Sequence, residues 1–290
     1  MIRIMTDAAA DIPAAEAKEW GIEVLPFMVH LGEKSIRADI DLNPQDYYKL
    51  LKESEEFPST SQMSPADIED IYRKLGKDDA IIHVSISSKG SGIFNTANLV
   101  ANQLKEEGFD ITVVDSTMFS YVIGKPVIAA AKMAKEGKTK DEILAYLDEV
   151  YKRDTAYFVV DDLAYLKKGG RIKATSMAIG TMLDIKPILN INSGLVEAYR
   201  KVRGLKKAMA TLADYVEERM DDPENNEVIL LHSDALDKVE ILKEMIVKRV
   251  NPASIRVLEI GPIITSHAGL GVVGVFFNHK QPYESYQTEA

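Results

Sequence analysis

The sequence predicts an α/β protein of two domains, the N-terminal one built on a parallel sheet and the C-terminal one on a mixed sheet. Three observations carry this expectation. The 290 residues suit two domains of roughly 100 to 200 residues each. Short β-rich apolar runs alternate with amphipathic helical segments, the pattern of strand, helix and parallel strand. In the second half, two strand-like runs flank Asn192-Ser193-Gly194, a hairpin signal that brings in antiparallel pairing.

Taken in order, residues 2–5 read as a strand, 12–20 as a helix closed by Gly21, and 22–29 as another strand. Asn43-Pro44 and Ser64-Pro65 each place a capping side chain before a first-turn proline, with Asp46 and Asp67 in the first turns; helices follow over 44–54 and 65–75. Residues 80–86 (AIIHVSI) form a buried strand, 91–106 a helix and 111–114 the next strand, a parallel crossover. A helix over 119–135 contains Pro126, which marks a kink or a late start, and Thr139 with Glu142 makes a capping box for the next helix.

The pattern changes near residues 153–155, so the expected domains are 1–154 and 155–290. The second starts with a strand at Ala156 and breaks at Gly169-Gly170 before a helix over 174–183. The hairpin strands come next, then a helix over 205–219, the strand VILLH, a helix over 235–249, and the strands IRVLEI and VVGVFF. A cleft between two such domains is a natural ligand site.

Composition removes several function classes. The net charge of −10 opposes binding to a nucleic-acid backbone, which takes a basic excess. With no cysteine there is no disulfide, thiolate nucleophile or cysteine-based zinc site, and the five histidines show no metal-ligand spacing. No metal and no cofactor are expected. No run nears the roughly 20 apolar residues of a membrane span, and no signal-peptide pattern opens the chain, so a cytoplasmic location without an integral membrane segment is expected.

Four segments carry chemistry. In SISSKGSGIFNTA, residues 85–97, an apolar strand ends in hydroxyls and glycines that open onto a helix. Gly90 and Gly92 let backbone approach a ligand, and the helix N-terminus favours an anion; a capped turn is the plainer reading. The loop lacks the pattern of a nucleotide-binding motif. FPSTSQMSPADI, residues 57–68, supplies the Thr60 and Ser61 hydroxyls. YLKKGGRIKA, residues 165–174, exposes Arg171 beside two glycines, and its guanidinium fork suits phosphate or carboxylate. Arg200, Lys201 and Arg203 cluster in EAYRKVRG, and His267 precedes Gly269 and Gly271 in SHAGLG. Solvated faces and structural histidines account for many such residues, and Ser91 lacks both the GxSxG spacing and a base for a hydrolase.

Together, TDAAADIP (6–13), STSQMSP (59–65), ISSKGSGIFNTA (86–97), VVDS (113–116), LKKGGRI (166–172), IKPIL (185–189), KVRG (201–204) and HAGLG (267–271) resemble the DegV family along nearly the whole chain. The resemblance implies two α/β domains with a long-chain fatty acid held between them in a buried tunnel, as in the binding subunit of bacterial fatty acid kinase. It implies a lipid carrier without catalytic residues of its own. Thr60, Ser61, Ser91 and the Gly92 amide would meet the carboxylate, and a separate ATP-binding kinase subunit would phosphorylate it. An acyltransferase of phospholipid metabolism would then receive the acyl phosphate. Arg171, Arg203 and His267 match the family residues implicated in kinase docking or phosphotransfer. This chain departs from the common family readings SSGLSGT and HAGPG at Lys89, Gly90, Ile93 and Leu270. The alternative is a stand-alone enzyme or a lipid sensor acting on a small carboxylate or phosphate.

Overall fold

The computed structural model describes residues 1–38, 42–177 and 185–289. The chain divides into two compact units, Met1–Tyr151 with Gly261–Ile264, and Lys152–Ile260 with Thr265–Ala290.

The first unit opens with β1 (Ile2–Asp7), a 3-10 turn and α1 (Ala14–Trp20), which Gly21 closes in the left-handed region. The single strand expected over 22–29 is two: β2 (Glu23–Leu25) pairs in parallel with β1, and β3 (Phe27–Leu31) belongs to a separate antiparallel sheet. Pro26 stands at the break, where a residue without an N–H ends a ladder. β4 (Lys34–Ala38), α2 (Pro44–Glu53), β5 (Ser59–Ser61) and α3 (Pro65–Leu75) follow. Asn43 and Ser64 cap the two helices as their sequence signals indicate, accepting from the Asp46 and Asp67 amides.

β6 (Ala80–Ser85), α4 (Ile93–Glu106) and β7 (Asp110–Asp115) form the parallel crossover. The main sheet, in the order β2-β1-β6-β7, is parallel throughout, and the small sheet has the order β4-β3-β5. All six residues of β6 except Ala80 are buried, as a strand covered on both faces must be. α5 (Tyr121–Lys135) runs through Pro126 without a late start, and α6 (Lys140–Arg153) ends this part of the chain.

The second unit holds a six-stranded mixed sheet. Its strands are β8 (Ala156–Val159), β9 (Ile185–Asn192), β10 (Leu195–Arg203), β11 (Glu227–His232), β12 (Ser254–Glu259) and β13 (Val273–Phe276), in the order β10-β9-β8-β13-β11-β12. β11 and β12 are parallel and every other neighbouring pair is antiparallel. The Asn-Ser-Gly hairpin forms as expected: Ser193 and Gly194 both take positive φ, the geometry that suits a two-residue turn to strand twist. α7 (Ala164–Gly169) and α8 (Ala174–Met177) precede β9; the remainder of the helix expected over 174–183 lies outside the described residues. α9 (Leu205–Arg219) and α10 (Leu236–Val247) bury Leu212, Val216, Val239 and Leu242 in one core with Tyr157, Ile188, Val228, Leu230 and Phe277. α11 (Pro262–Ala268) carries His267 in its last turn.

Candidate functional site

In the first unit the parallel strands deliver polar groups to their carboxyl ends, the edge where open α/β sheets bind ligands. Asp7 ends β1, Ser85 ends β6 and Asp115 ends β7. The loop of residues 87–92 leaves β6 here and is fixed by its neighbours. The Asp7 carboxylate accepts from the Ile86 amide at 2.8 Å and the Ala9 amide at 3.1 Å. Asp115 accepts from the Ser88 and Thr117 amides at 3.1 and 2.9 Å, and the Ser87 amide donates to the Met118 carbonyl at 3.1 Å.

Within the loop, the Gly90 and Ser91 amides both donate to the Ser87 carbonyl, and the Ser91 hydroxyl oxygen accepts from the Ile93 amide at 3.3 Å. The Gly92 amide, at the N-cap of the fourteen-residue α4, donates to no protein acceptor among the described residues. It lies at the positive end of a helix and is exposed, an arrangement that suits an anion. Gly90 is buried, and a Cβ added there would overlap the Phe119 ring. The Phe119 ring thus fills the space that a side chain at position 90 would take. Lys89 is exposed and Ile93 is fully buried at the start of α4.

β5 carries Thr60 and Ser61. Thr60 is half-buried opposite the fully buried Val29, whereas Ser61 pairs with Met28 and points to the other face of the small sheet. There its hydroxyl meets His30 Nε2 at 2.8 Å, while His30 Nδ1 meets the Ser35 hydroxyl at 2.9 Å. Gln62 joins the segments: its amide donates to the Thr96 hydroxyl on α4 at 2.8 Å, and its Oε1 lies 3.1 Å from where a Gly92 Cβ would stand. The segment that follows Thr60 and the one that holds Ser91 and Gly92 are therefore tied together by one side chain.

The second unit brings two of its three expected residues together. Gly170 closes α7 with φ +71 and turns the chain into Arg171, whose Nη1 donates to the Gly169 carbonyl. The His267 ring packs on Gly169, its Nδ1 2.7 Å from the place a Cβ would take. Burial, with the Arg171 charge beside it, pushes the His267 imidazole down to about 4, and burial lowers Arg171 as well. The ring is therefore neutral near pH 7, with one nitrogen a donor and the other an acceptor. Behind it, buried Ser233 clamps the glycine turn, donating to the Gly269 carbonyl at 2.8 Å and accepting from the Val272 amide at 3.1 Å. Arg203 lies elsewhere. The Arg171 carbonyl is bonded to the Val196 amide near the start of β10, and exposed Arg203 ends that strand. At about 3.3 Å per residue the separation along the strand is about 20 Å.

A family profile described as "Uncharacterised protein, DegV family" matches residues 1–280. The chain belongs to the DegV family. A DegV domain-containing protein of Halalkalibacterium halodurans is 33% identical over 276 residues, which span 94% of this chain and 97% of that relative. A fatty-acid-binding DegV family protein of Thermus thermophilus shares the fold with a TM-score of 0.84 at 30% identity, covering 96% of this chain and 99% of that one. DegV of Bacillus subtilis, a fatty acid binding protein, gives 0.85 at 29% identity with coverage of 96% and 99%.

Sequence reasoning missed the residues of this DegV chain that hold the loops: Asp7, Gln62, Asp115 and Phe119. The available signal was Asp7 and Asp115 closing apolar parallel strands, since a carboxylate withdrawn from solvent at a strand end needs amides to satisfy it. Among the described residues there is no group of three His, Asp or Glu placed to hold a metal, and no helix is long and apolar enough to cross a membrane.

Proposed function

We propose that this DegV protein binds a long-chain fatty acid, grips its carboxylate with the Thr60 hydroxyl, the Ser91 hydroxyl and the Gly92 amide, and presents it to a separate ATP-binding kinase subunit. The carrying observation is the tie between the two hydroxyl loops at the N-terminus of α4, in a fold whose solved relatives bind fatty acids. An oxygen pair accepting from two hydroxyls and a helix-end amide is held by charge-assisted bonds, which exceed neutral ones in strength. The alkyl chain supplies most of the affinity, at about 0.8 kcal/mol per buried methylene before binding costs.

Ser61, facing His30, supports the loop from behind in this reading. His267 and Arg171 stand as a neutral donor and a cation for phosphoryl chemistry, and exposed Arg203 serves kinase docking. Acyl phosphate would pass to an acyltransferase. The chain acts in the cytoplasm and needs no cofactor of its own.

The test begins with denaturing extraction and mass spectrometry of protein purified from a bacterial host, which should release long-chain fatty acid. The Thr60→Ala, Ser91→Ala double variant should retain roughly tenfold less or lower still, as expected for two lost bonds to a charged group. Preparations that are empty and refuse added oleate overturn the reading. Acyl phosphate formed from oleate and ATP with no kinase subunit present overturns the carrier role.

A further inference from the structure

The TDAAADIP motif ends in a contact that the grip described above does not use. Asp11 Oδ2 accepts from the Ser120 hydroxyl at 2.5 Å, across 109 positions of sequence. Ser120 is 6% exposed, and the Asp11 carboxyl is buried although the residue as a whole is half-buried. Both residues have left-handed φ, +50 at Asp11 and +59 with ψ −153 at Ser120. The second conformation is one that glycine normally occupies, and the residue here is serine. Such geometry persists only where surrounding contacts over-determine it, and it clusters at binding sites.

The hydroxyl that would ordinarily cap α5 is committed to Asp11 instead, for Ser120 is the N-cap residue and makes no side-chain cap bond. Directly before Ser120 stands Phe119, 8% exposed, whose ring occupies the space over Gly90. One residue earlier, the Met118 carbonyl accepts from the Ser87 amide. The backbone of residues 118–120 is thus the floor of the 87–92 loop, and the Asp11 carboxyl is the anchor of that floor.

We propose that Asp11 is a positioning residue for the carboxylate grip: through Ser120 it locks the Phe119 ring against Gly90 and so sets where Ser91 and Gly92 stand. The proposal rests on the headgroup reading given above. Burial holds the Asp11 carboxyl up to about 7, with Ser120 and the Gly261 amide pulling it down.

The experiment compares oleate with oleyl alcohol, which has the same chain and no carboxylate. Asp11→Ala and Ser120→Ala should each weaken oleate binding about tenfold, the effect of one lost buried hydrogen bond at a charged site, and leave oleyl alcohol within about twofold. Asp11→Asn, which keeps an acceptor for Ser120, should recover most of the loss. The double variant should be no weaker than either single one, because the two residues act as a unit. The carbon-13 carboxyl resonance of labelled oleate should shift in Ser120→Ala and stay put in Ile143→Val, a core change elsewhere in the unit. If Asp11→Ala does not fold, Ser120→Ala, which removes only a hydroxyl, carries the test. Equal losses for acid and alcohol, additive losses, or no loss overturn the proposal. A wild-type protein that binds oleate no better than oleyl alcohol overturns the headgroup reading, and the proposal with it.

Discussion

Asp7 and Asp11 are pushed by burial up to about 7 from an ordinary 3.8, even though Ile86, Ala9 and Ser85 favour the charged form of the first and Ser120 that of the second. In the unfolded chain both release their protons near pH 3.8. Between these limits the folded state binds more protons, so these groups lower the unfolding free energy as pH rises from about 4 to about 7, with no further change above. His83 and His267, which burial lowers to about 3 and about 4, act with the opposite sign: the unfolded chain takes up their protons near 6.5, and stability falls as pH drops from there. Asp7→Asn should therefore show a shallower decline in stability as pH rises from about 4 to about 7 in urea titrations. An unchanged slope would show that Asp7 does not titrate in that window. Gly271 offers a second check at this scale. Its φ is +82, and a Cβ would overlap the Asp161 carboxylate, so Gly271→Ala should cost about 2 kcal/mol or more, read as a lowered urea midpoint.

Elements differ in how plainly the chain announces them. α2 and α3 are legible because a capping side chain, a first-turn proline and an acidic residue coincide, and each signal acts within one turn. Ser64 and Asp67 satisfy each other's backbone donors, at 3.2 Å to the Asp67 amide and 3.3 Å from the Ser64 amide. Ser64→Ala should cost about 1 kcal/mol in chemical denaturation, whereas a loss under a few tenths would mean solvent replaces the cap. β5 is not legible: Ser-Thr-Ser has no apolar alternation, and its pairing is imposed by β3. α7 and α11, at six and seven residues, are too short for a helical period to show. The same contrast divides the site. Hydroxyls and glycines beside an apolar strand are a local pattern, while the Asp11–Ser120 bond and the tie from Gln62 to Thr96 join residues far apart in sequence and emerge only on folding.

At the scale of the whole chain, alternation of strands and helices with one hairpin signal is enough to read two α/β regions, because each crossover and turn is decided locally. The ownership of residues is less simple. Gly261–Ile264 groups with the unit that otherwise ends at Tyr151, and a Cβ on Gly261 would overlap the Asp11 carboxylate. A fragment of residues 1–151 would lack this returning segment and leave the Asp11 carboxyl exposed on that side. Its amides around Asp11 and Ser120 should exchange hydrogen faster than in the full chain; equal protection would show that the returning segment contributes nothing there. For chimaeras made by swapping C-terminal halves between relatives, this small return of the chain sets a compatibility rule. Whatever donor supplies position 261 must leave it without a side chain, or the incoming half will evict a carboxyl that belongs to the other parent.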